Sequence, residues 1–384
     1  MFVNVEFLDD EPIENIITCL NYHFDKVIFF GYAEIIKKQQ KHTEQFLKKY
    51  CQVKEVVFIA LVHHNLRSIK ETMRLELQRC FKQSQQVFID ITGGESIILI
   101  AFGQLSDELA LPMHMYEIAS GKLIELDDDE NRHFSNRVKE DKVELNLERY
   151  IEAYGGVINP LSHKHSKNLD SPQVIAVVET IWDLATKYID DWNDFTTLFQ
   201  HFSGEDKGLD VEIASNEIVK FLNHRKQLRR IDALKIILDD FERCGLINNL
   251  EINGYLSFSY QEQLVKDCLL ETGCILELHT CLKELKDTPI CQVGVHLDWD
   301  GILHPAILNI DVVNEIDVLS LRGYVLNFMS CKSGRVEKTD LYELDTVAKR
   351  FGGKYATKQL VCRFEISQID QYRADEMNIE ISYE

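Results

Sequence analysis

The sequence contains little proline or glycine and no long apolar run. Its 384 residues include 6 Pro and 18 Gly, which excludes long disordered linkers and collagen-like repeats. No stretch approaches the roughly 18 to 20 consecutive apolar residues of a transmembrane helix, so we expect no membrane association. The N-terminal segment carries no basic region ahead of its apolar residues. We therefore expect no secretory signal and a cytoplasmic protein.

An excess of positive charge and closely paired cysteines are also missing. The formal net charge is −21, which excludes a basic footprint over the whole molecule. Any binding to nucleic acid must then use a local basic patch or a metal ion. The ten cysteines form no CxxC pair. In a cytoplasmic protein this spacing is more typical of reduced thiols than of a disulfide framework or a zinc site.

Strands and helices alternate over the first 130 residues. Strands are predicted over 1–8, 26–32, 55–62, 86–91, 113–117 and 122–125. Apolar residues on one face predict a helix over 12–24, and a second helix is predicted over 95–104. Continuous apolar strands separated by helices indicate a parallel sheet that is covered on both faces. We therefore predict an N-terminal α/β domain of the doubly wound, Rossmann-like class.

The rest of the chain divides into two further parts. Residues 127–150 are rich in charge, which predicts a solvated connector. A helical region with a hairpin at an Asn-Gly pair follows, and it resembles either a winged helix or a plain helical spacer. The end of the chain is predicted as a mixed α/β unit that begins with a helix over 271–286. The predicted domains are 1–130, 131–265 (a helical, possibly winged-helix-like linker) and 266–384.

A first candidate site lies where the N-terminal strands end, because open parallel sheets bind ligands at the carboxyl ends of their strands. A Thr-Gly-Gly turn there leads into a helix, and glycines let backbone amides approach a phosphate at a helix N-terminus. A plain tight turn explains the same residues equally well. The sequence contains neither GxGxxG nor GxxxxGK[ST]. The candidate ligand-binding residues are Leu8, Asp9, Asp10, Glu11, His63, His64, Asn65, Thr92, Gly93, Gly94 and Glu95.

The segment IDITGGES after an apolar strand, in a domain that begins with a strand and DDEPIEN, resembles a CARF domain. CARF domains are Rossmann-like sensors of cyclic oligoadenylates in type III CRISPR immunity. The resemblance implies a homodimer that binds cyclic tetra-adenylate in a two-fold symmetric pocket. Many relatives carry Lys or Arg after the glycines, whereas this chain has Glu95. Lys122 and Arg67 are the candidates for offsetting the phosphate charge.

A second candidate site lies in the segment VVNEIDVLSLRGYVLNFMSCKSG, which predicts two strands around a turn at Gly323. Side chains alternate along a strand, so one face of each strand carries the polar residues. A hairpin centred on this turn places Asp317 opposite Ser330 and Glu315 opposite Lys332. Two carboxylates and one ammonium group would then share a single face.

The helix upstream of this hairpin adds Glu277 at the edge of its apolar seam. Carboxylates beside a lysine on neighbouring strands suit metal-dependent hydrolysis of phosphodiesters. The acids would hold Mg²⁺ or Mn²⁺, and the lysine would orient water or stabilise developing charge. The alternative is a surface hairpin with an ion pair between Glu315 and Lys332, worth under about 1 kcal/mol.

A glutamate on a helix, then an aspartate, a turn and a lysine resemble the PD-(D/E)xK core of restriction-endonuclease-like nucleases. NEIDVL followed by SCKSG is similar to the nuclease domain of CRISPR ancillary nucleases that carry a CARF domain. The resemblance implies that Asp317, Glu315 and Glu277 bind the metal ion and that Lys332 is the catalytic lysine. Ser330 stands where the general pattern has an acid.

Together these resemblances imply a nuclease of type III CRISPR antiviral defence that is activated allosterically by cyclic tetra-adenylate and depends on Mg²⁺ or Mn²⁺. Its substrate would be DNA, RNA or both. The alternative is a cyclic-oligoadenylate-sensing transcription regulator with a degenerate nuclease domain. In that case residues 171–260 would bind DNA as a winged helix, although this region has an Arg/Lys cluster only at 224–230. Ser330 keeps this alternative open.

Overall fold

In the computed structural model, the N-terminal strands are β1 Phe2–Phe7, β2 Lys26–Tyr32, β3 Glu55–Leu61, β4 Gln86–Asp90, β5 Met113–Glu117 and β6 Lys122–Glu125. They form one sheet in the order β3-β2-β1-β4-β5-β6, with parallel pairing except in the β5–β6 hairpin. All seven residues of β2 are buried, which explains their continuous apolar pattern. The predicted α/β class is confirmed. The structure describes residues 1–62, 65–159, 169–202, 208–223, 231–271, 273–299, 301–304 and 313–384.

Helices cover both faces of this sheet. They are α1 Ile17–Asn21, α2 Ala33–Tyr50, α3 Leu66–Lys82 and α4 Ser96–Leu109. Phe46 and Leu47 of α2 belong to one apolar core, while Met73 and Leu77 of α3 belong to another on the opposite face. Two separate cores are the expected consequence of winding helices onto both faces of a parallel sheet.

The helix predicted over 12–24 is mostly absent, because α1 spans only Ile17–Asn21. The side chain of Asn15 accepts a hydrogen bond from the Asp9 amide at 2.9 Å and donates one to the Asp9 carbonyl at 2.9 Å. These two bonds hold residues 9–15, named the β1 loop below, folded back at the end of β1. Local side-chain to backbone bonds thus compete with the helical pattern.

The charged stretch 127–150 is not a solvated connector along its whole length. Phe134 is 1% exposed, and its ring lies 5.4 Å from that of Phe24 and 5.7 Å from that of Phe88. The core therefore extends under this stretch. The next elements are α5 Leu147–Ala153 and the short strand β7 Val157–Ile158.

The middle of the chain contains α6 Pro172–Lys187, α7 Ile189–Phe202, β8 Asp210–Ala214, α8 Ser215–Leu222, α9 Ile231–Arg243, β9 Ile247–Ile252 and β10 Tyr255–Tyr260. The three strands form an antiparallel sheet in the order β8-β10-β9. Gly254, with φ of +74°, closes the predicted hairpin between β9 and β10. From α7 onward, the order helix, strand, two helices and hairpin is that of a winged helix. The basic cluster 224–230 lies outside the described residues.

The last part contains α10 Gln263–Leu270, α11 Cys274–Glu284, β11 Cys291–Asp298, β12 Val313–Arg322, β13 Val325–Lys332, α12 Lys338–Gly352, β14 Thr357–Cys362, α13 Gln368–Glu376 and β15 Glu380–Tyr383. Its sheet has the order β15-β14-β13-β12-β11-β7, so a strand from before the winged-helix-like part completes it. The helix predicted over 271–286 begins later, after Gly273 with φ of +103°.

Helices α11 and α12 pack on opposite faces of this sheet. Val318 and Met329 share an apolar core with α11, whereas Leu319 and Phe328 share another with α12. The alternation of side chains along β12 and β13 produces this division. Within the described ranges, no helix is both long and apolar enough to cross a membrane.

Candidate functional site

A cleft opens in the C-terminal sheet where β12 and β13 stop pairing. The last backbone pair is Val318 with Met329, before the chain reaches Asp317 on one strand and Lys332 on the other. The cleft has a volume of about 380 Å³. It is lined by Asn314, Glu315, Ile316, Asp317, Ser330, Lys332, Asp340, Glu343, Leu344 and Val347. Four of the five predicted catalytic residues, all except Glu277, therefore line one cleft.

The carboxylate of Asp317 is held by the opposite strand. Its Oδ2 accepts hydrogen bonds from the Cys331 amide at 2.6 Å and from the Ser330 hydroxyl at 3.1 Å. The observed register continues to the predicted juxtaposition of Asp317 with Ser330. The Asp317 side chain thus takes the place of a strand carbonyl, which explains why regular pairing ends here.

The ammonium group of Lys332 is paired with Asp340, an acid that the sequence analysis did not select. Its Nζ lies 3.0 Å from Oδ1 of Asp340. Asp340 is the third residue of α12 and forms a capping box with Glu337, whose amide donates to Oδ2 at 2.7 Å. Because the capping box fixes Asp340, the first turn of α12 sets the position of the lysine.

Glu277 lies on α11, does not line the cleft and is nevertheless electrostatically coupled to it. Burial, together with the negative charges of Asp317 and Glu315, raises the pKa of Glu277 to about 8. Burial also raises the pKa of Asp317, against the hydrogen bond from the Cys331 amide and the positive charge of Lys332. Burial thus favours the protonated form of both carboxyl groups.

Glu315 is the most accessible of the predicted acids, with 61% of its side chain exposed. Its Oε2 lies 3.6 Å from Nε2 of His296, the residue directly opposite on β11. The sequence analysis did not select His296, because the pairing of β11 with β12 joins segments that no local pattern connects.

The candidate acids have the chemical character of ligands for a divalent cation. Asp317, Glu277 and Glu315 offer carboxylate oxygens, the ligands that Mg²⁺ and Mn²⁺ prefer. A bound cation would favour the ionised forms of Glu277 and Asp317, against the burial that raises the pKa of both. In the part of the chain that the structure describes, however, no three His, Cys, Asp or Glu side chains form a group that could hold a metal ion.

The β1 loop and the turn after β4 contact each other at the predicted ligand site. Oδ2 of Asp9 accepts a hydrogen bond from the Gly94 amide at 3.0 Å. A Cβ atom on Gly93 would lie 2.8 Å from Oε2 of Glu14, and Gly94 has φ of +124°. Glycine is required here because the two loops approach closely and the backbone enters a region that other residues avoid.

Thr92 fixes this turn through hydrogen bonds to residues of β4 and β5. Its hydroxyl donates to Oδ1 of the buried Asp90 at 2.5 Å and accepts from the Tyr116 amide at 2.8 Å. A hydroxyl has one proton to donate, so Thr92 in this arrangement has none left for a phosphate. Its role in the structure is to fix the path of the turn that carries the two glycines.

The other predicted ligand residues at the strand ends are placed as follows. Leu8 is fully buried, which makes it a core residue. Asn65 caps α3, with Oδ1 accepting from the Ser68 amide at 3.0 Å. His63 and His64 lie outside the described residues.

Two predicted acids contact residues of β2 and of the helix α2 that follows it. Asp10 lies 3.4 Å from Nζ of Lys38, an exposed pair. Glu95 accepts a hydrogen bond from the Tyr32 hydroxyl at 2.9 Å. Burial and this carboxylate raise the pKa of Tyr32 to about 12, so its hydroxyl remains a donor at neutral pH.

A cation from the other end of the chain contacts the β1 loop. Nζ of Lys354 lies 2.9 Å from Oε1 of Glu14, and the Lys354 amide donates to Oε1 of Glu11 at 2.9 Å. The sequence analysis named Lys122 and Arg67 as compensating cations and missed Lys354. Nothing in the local sequence connects Lys354 with the β1 loop, so only the tertiary fold reveals it.

No protein-family model and no curated protein matches this chain. Several solved structures match it, among them two that cover its whole length. Protein VC1899 from Vibrio cholerae is 17% identical, with 100% of this chain and 94% of that chain covered and a TM-score of 0.73. Can2 from Sulfobacillus thermosulfidooxidans, in complex with cyclic tetra-adenylate, is 15% identical, with 100% and 95% covered and a TM-score of 0.65. The chain shares its fold with these two proteins.

Proposed function

We propose that this chain is a metal-dependent nuclease of type III CRISPR antiviral defence that cyclic tetra-adenylate activates. The observation that carries the proposal is the cleft in which Asp317, Ser330 and Lys332 meet where two strands separate. The shared fold adds support, since Can2 is in complex with this ligand. The proposed substrate is DNA, RNA or both.

Asp317 is the central ligand of the proposed metal site. The hydrogen bonds from Cys331 and Ser330 orient its carboxylate, and Ser330 thereby acts through Asp317. Glu315 would supply a further carboxylate oxygen, and Glu277 would add another on losing its proton, because its pKa is about 8. A Mg²⁺ or Mn²⁺ ion held by these groups would polarise the scissile phosphate and lower the pKa of a bound water.

Lys332 acts as a cation in this scheme. Burial lowers the pKa of Lys332, but the hydrogen bond and negative charge of Asp340 more than offset it, and the net shift is upward. The side chain therefore stays protonated at neutral pH. It stabilises negative charge at the phosphate and orients the attacking water, and it does not serve as the general base.

The sensor in this proposal is the N-terminal sheet. Two copies of the chain would bind one cyclic tetra-adenylate between the β1 loops and the turns that follow β4. Bound ligand can shift the protein towards an active arrangement only if it binds that arrangement more tightly than the inactive one. The ligand site and the cleft are thus separate sites joined by a coupling free energy.

The test is cleavage of supercoiled plasmid and of single-stranded RNA, each with Mg²⁺ or Mn²⁺ and with or without cyclic tetra-adenylate. We expect cutting only when metal ion and ligand are both present. Asp317→Asn serves as the control, because it keeps an acceptor for the Cys331 amide and removes the charge. Tight ligand binding without cutting under any condition would contradict the proposal and favour the transcription regulator.

A further inference from the structure

Helix α12 begins at the cleft. Its capping box fixes Asp340, whose second oxygen pairs with Lys332. The buried residues Leu341, Leu344 and Val347 fasten the same helix to the sheet. Any displacement of α12 along its axis therefore moves the partner of Lys332.

The other end of α12 is packed against the β1 loop. Gly353 follows the helix with φ of +61°, and a Cβ atom there would lie 1.8 Å from Oε2 of Glu11. The Glu11 carboxylate thus occupies the space that any other residue would fill at this position. Its Oε1 accepts from the Lys354 amide at 2.9 Å, and its Oε2 accepts from the Tyr154 hydroxyl at 3.2 Å.

A second carboxylate of the β1 loop makes a parallel connection. Glu14 is 2% exposed, and its Oε1 accepts from the Tyr355 hydroxyl at 2.5 Å and pairs with Lys354. Its Oε2 is buried without a hydrogen-bond partner beside Gly93. An unsatisfied buried carboxylate oxygen is costly, so a movement of the Gly93 turn that supplied a donor would be favoured.

We propose that α12 couples the two sites. Glu11 and Glu14 transmit a movement of the β1 loop to residues 353–355, and α12 carries it to Asp340 and hence to Lys332. This regulation rests on the proposed function, because it concerns the same ligand site and the same cleft. It assigns Asp340 and Tyr355 as positioning residues that act through Lys332.

The length and packing of α12 suit it to transmit a movement between the two sites as a rigid body. The 15 residues of α12 span roughly 22 Å at about 1.5 Å per residue. A helix packed on a sheet moves as a body. One end of α12 is tied to Lys332 by the ion pair of Asp340, and the other end is followed by the Lys354 amide that donates to Glu11. Spatial intermediacy alone does not establish coupling, so the test must change the connection and leave both sites intact.

The discriminating variant is Tyr355→Phe, which removes only the hydroxyl that donates to Glu14. We expect stimulation of cleavage by cyclic tetra-adenylate to fall at least fivefold, the lower end of typical allosteric coupling. The dissociation constant for the ligand should change less than threefold. Tyr342→Phe is the matched control: it makes the same chemical change on an exposed residue of α12 and should retain wild-type stimulation. Full stimulation in Tyr355→Phe would overturn the coupling.

Lys354→Met provides a second variant, in which the replaced side chain is half exposed. It removes the ion pair with Glu14 and leaves the backbone bond to Glu11 in place. We expect stimulation to fall in the same direction as in Tyr355→Phe. Combining it with Tyr355→Phe should give less than the product of the two single effects, because both act on one carboxylate. Independent, multiplicative effects would contradict a shared route.

Hydrogen exchange of the α12 amides separates failure of the coupling from failure of the proposed function. In the wild-type protein we expect the ligand to change protection in α12, and we expect a smaller change in Tyr355→Phe. A response of α12 without any cleavage would refute the nuclease and retain the coupling. Cleavage that the ligand stimulates while α12 exchange stays unchanged would overturn the coupling and retain the nuclease.

Discussion

Asp317 and Lys332 approach each other from two strands whose pairing ends just before them. Each is held by a group outside the predicted constellation, Asp317 by the Cys331 amide and Lys332 by Asp340. Such support matters because a reactive side chain needs a fixed orientation to work. The candidate site therefore includes the Cys331 amide and Asp340 as well as the predicted charged residues.

Replacing either residue should abolish cleavage. We expect Asp317→Ala to remove the central carboxylate and Lys332→Ala to remove the cation, with residual rates at least about a hundredfold below wild type. Binding of cyclic tetra-adenylate should be unchanged, because the ligand loops lie on another sheet. The measurement is the initial rate of plasmid or RNA cleavage beside ligand binding by calorimetry. Retained cutting in a pure Asp317→Ala preparation would remove the assignment.

Ser330→Ala gives a milder test of the same arrangement. The hydroxyl is one of two donors to Asp317, and losing a hydrogen bond of this kind costs about 0.5–1.5 kcal/mol. We therefore expect cleavage to slow by up to about tenfold, whereas a serine that bound the metal ion directly would also change the metal dependence. Rates measured across a Mn²⁺ titration distinguish the two. A large shift in the Mn²⁺ requirement would contradict the role given to Ser330 here.

At the scale of elements, the second half of α12 is tied to β14 through Asp345. Its carboxylate pairs with Lys358, which is 9% exposed, and with Lys349, which is 68% exposed. Burial opposes ionisation, but the hydrogen bonds from these two lysines hold the pKa of Asp345 below its usual value. The stabilisation is therefore present above the usual Asp pKa and is lost as the pH falls through the lowered one.

Lys358→Met should destabilise the protein more than Lys349→Met, although both remove an ammonium group from the same carboxylate. We expect a loss of about 1–3 kcal/mol for the buried lysine and less than about 1 kcal/mol for the exposed one. Urea unfolding at pH 7 measures both, and the difference should shrink towards pH 3. Equal losses would show that the buried pair contributes no more than a surface pair.

The elements also show where sequence reasoning succeeds. Strands with continuous apolar runs were predictable because burial on both faces leaves a strong pattern, and the β12–β13 register followed from the position of one turn. The helix over 12–24 was not predicted correctly, because side-chain to backbone bonds between Asn15 and Asp9 compete with it. Asp340 and Lys354 were missed for a different reason. Their partners lie on other elements, which no local period brings together.

At the scale of the whole molecule, burial protects almost every thiol. All ten cysteines are free, Cys244 is exposed, Cys291 is intermediate and the rest are buried. Burial raises the pKa of the buried Cys331 and Cys19 thiols, which further lowers their reactivity. The cysteines thus behave as small apolar residues.

Native labelling with a thiol reagent should therefore modify one cysteine rapidly. We expect that residue to be Cys244, and Cys244→Ser should abolish the rapid phase without changing the free energy of unfolding. Mass spectrometry of the labelled peptides identifies the site. Rapid modification of several cysteines under native conditions would contradict the burial described here.

In the proposed function, ligand binding at one sheet switches hydrolysis at another. The most direct measurement is the initial rate of cleavage at saturating Mn²⁺, with and without cyclic tetra-adenylate, for the wild-type protein and for Asp317→Asn. We expect a ligand-dependent rate in the wild type and none in the variant, with equal ligand affinity in both. Tight ligand binding in a wild-type protein that never cleaves DNA or RNA would contradict it.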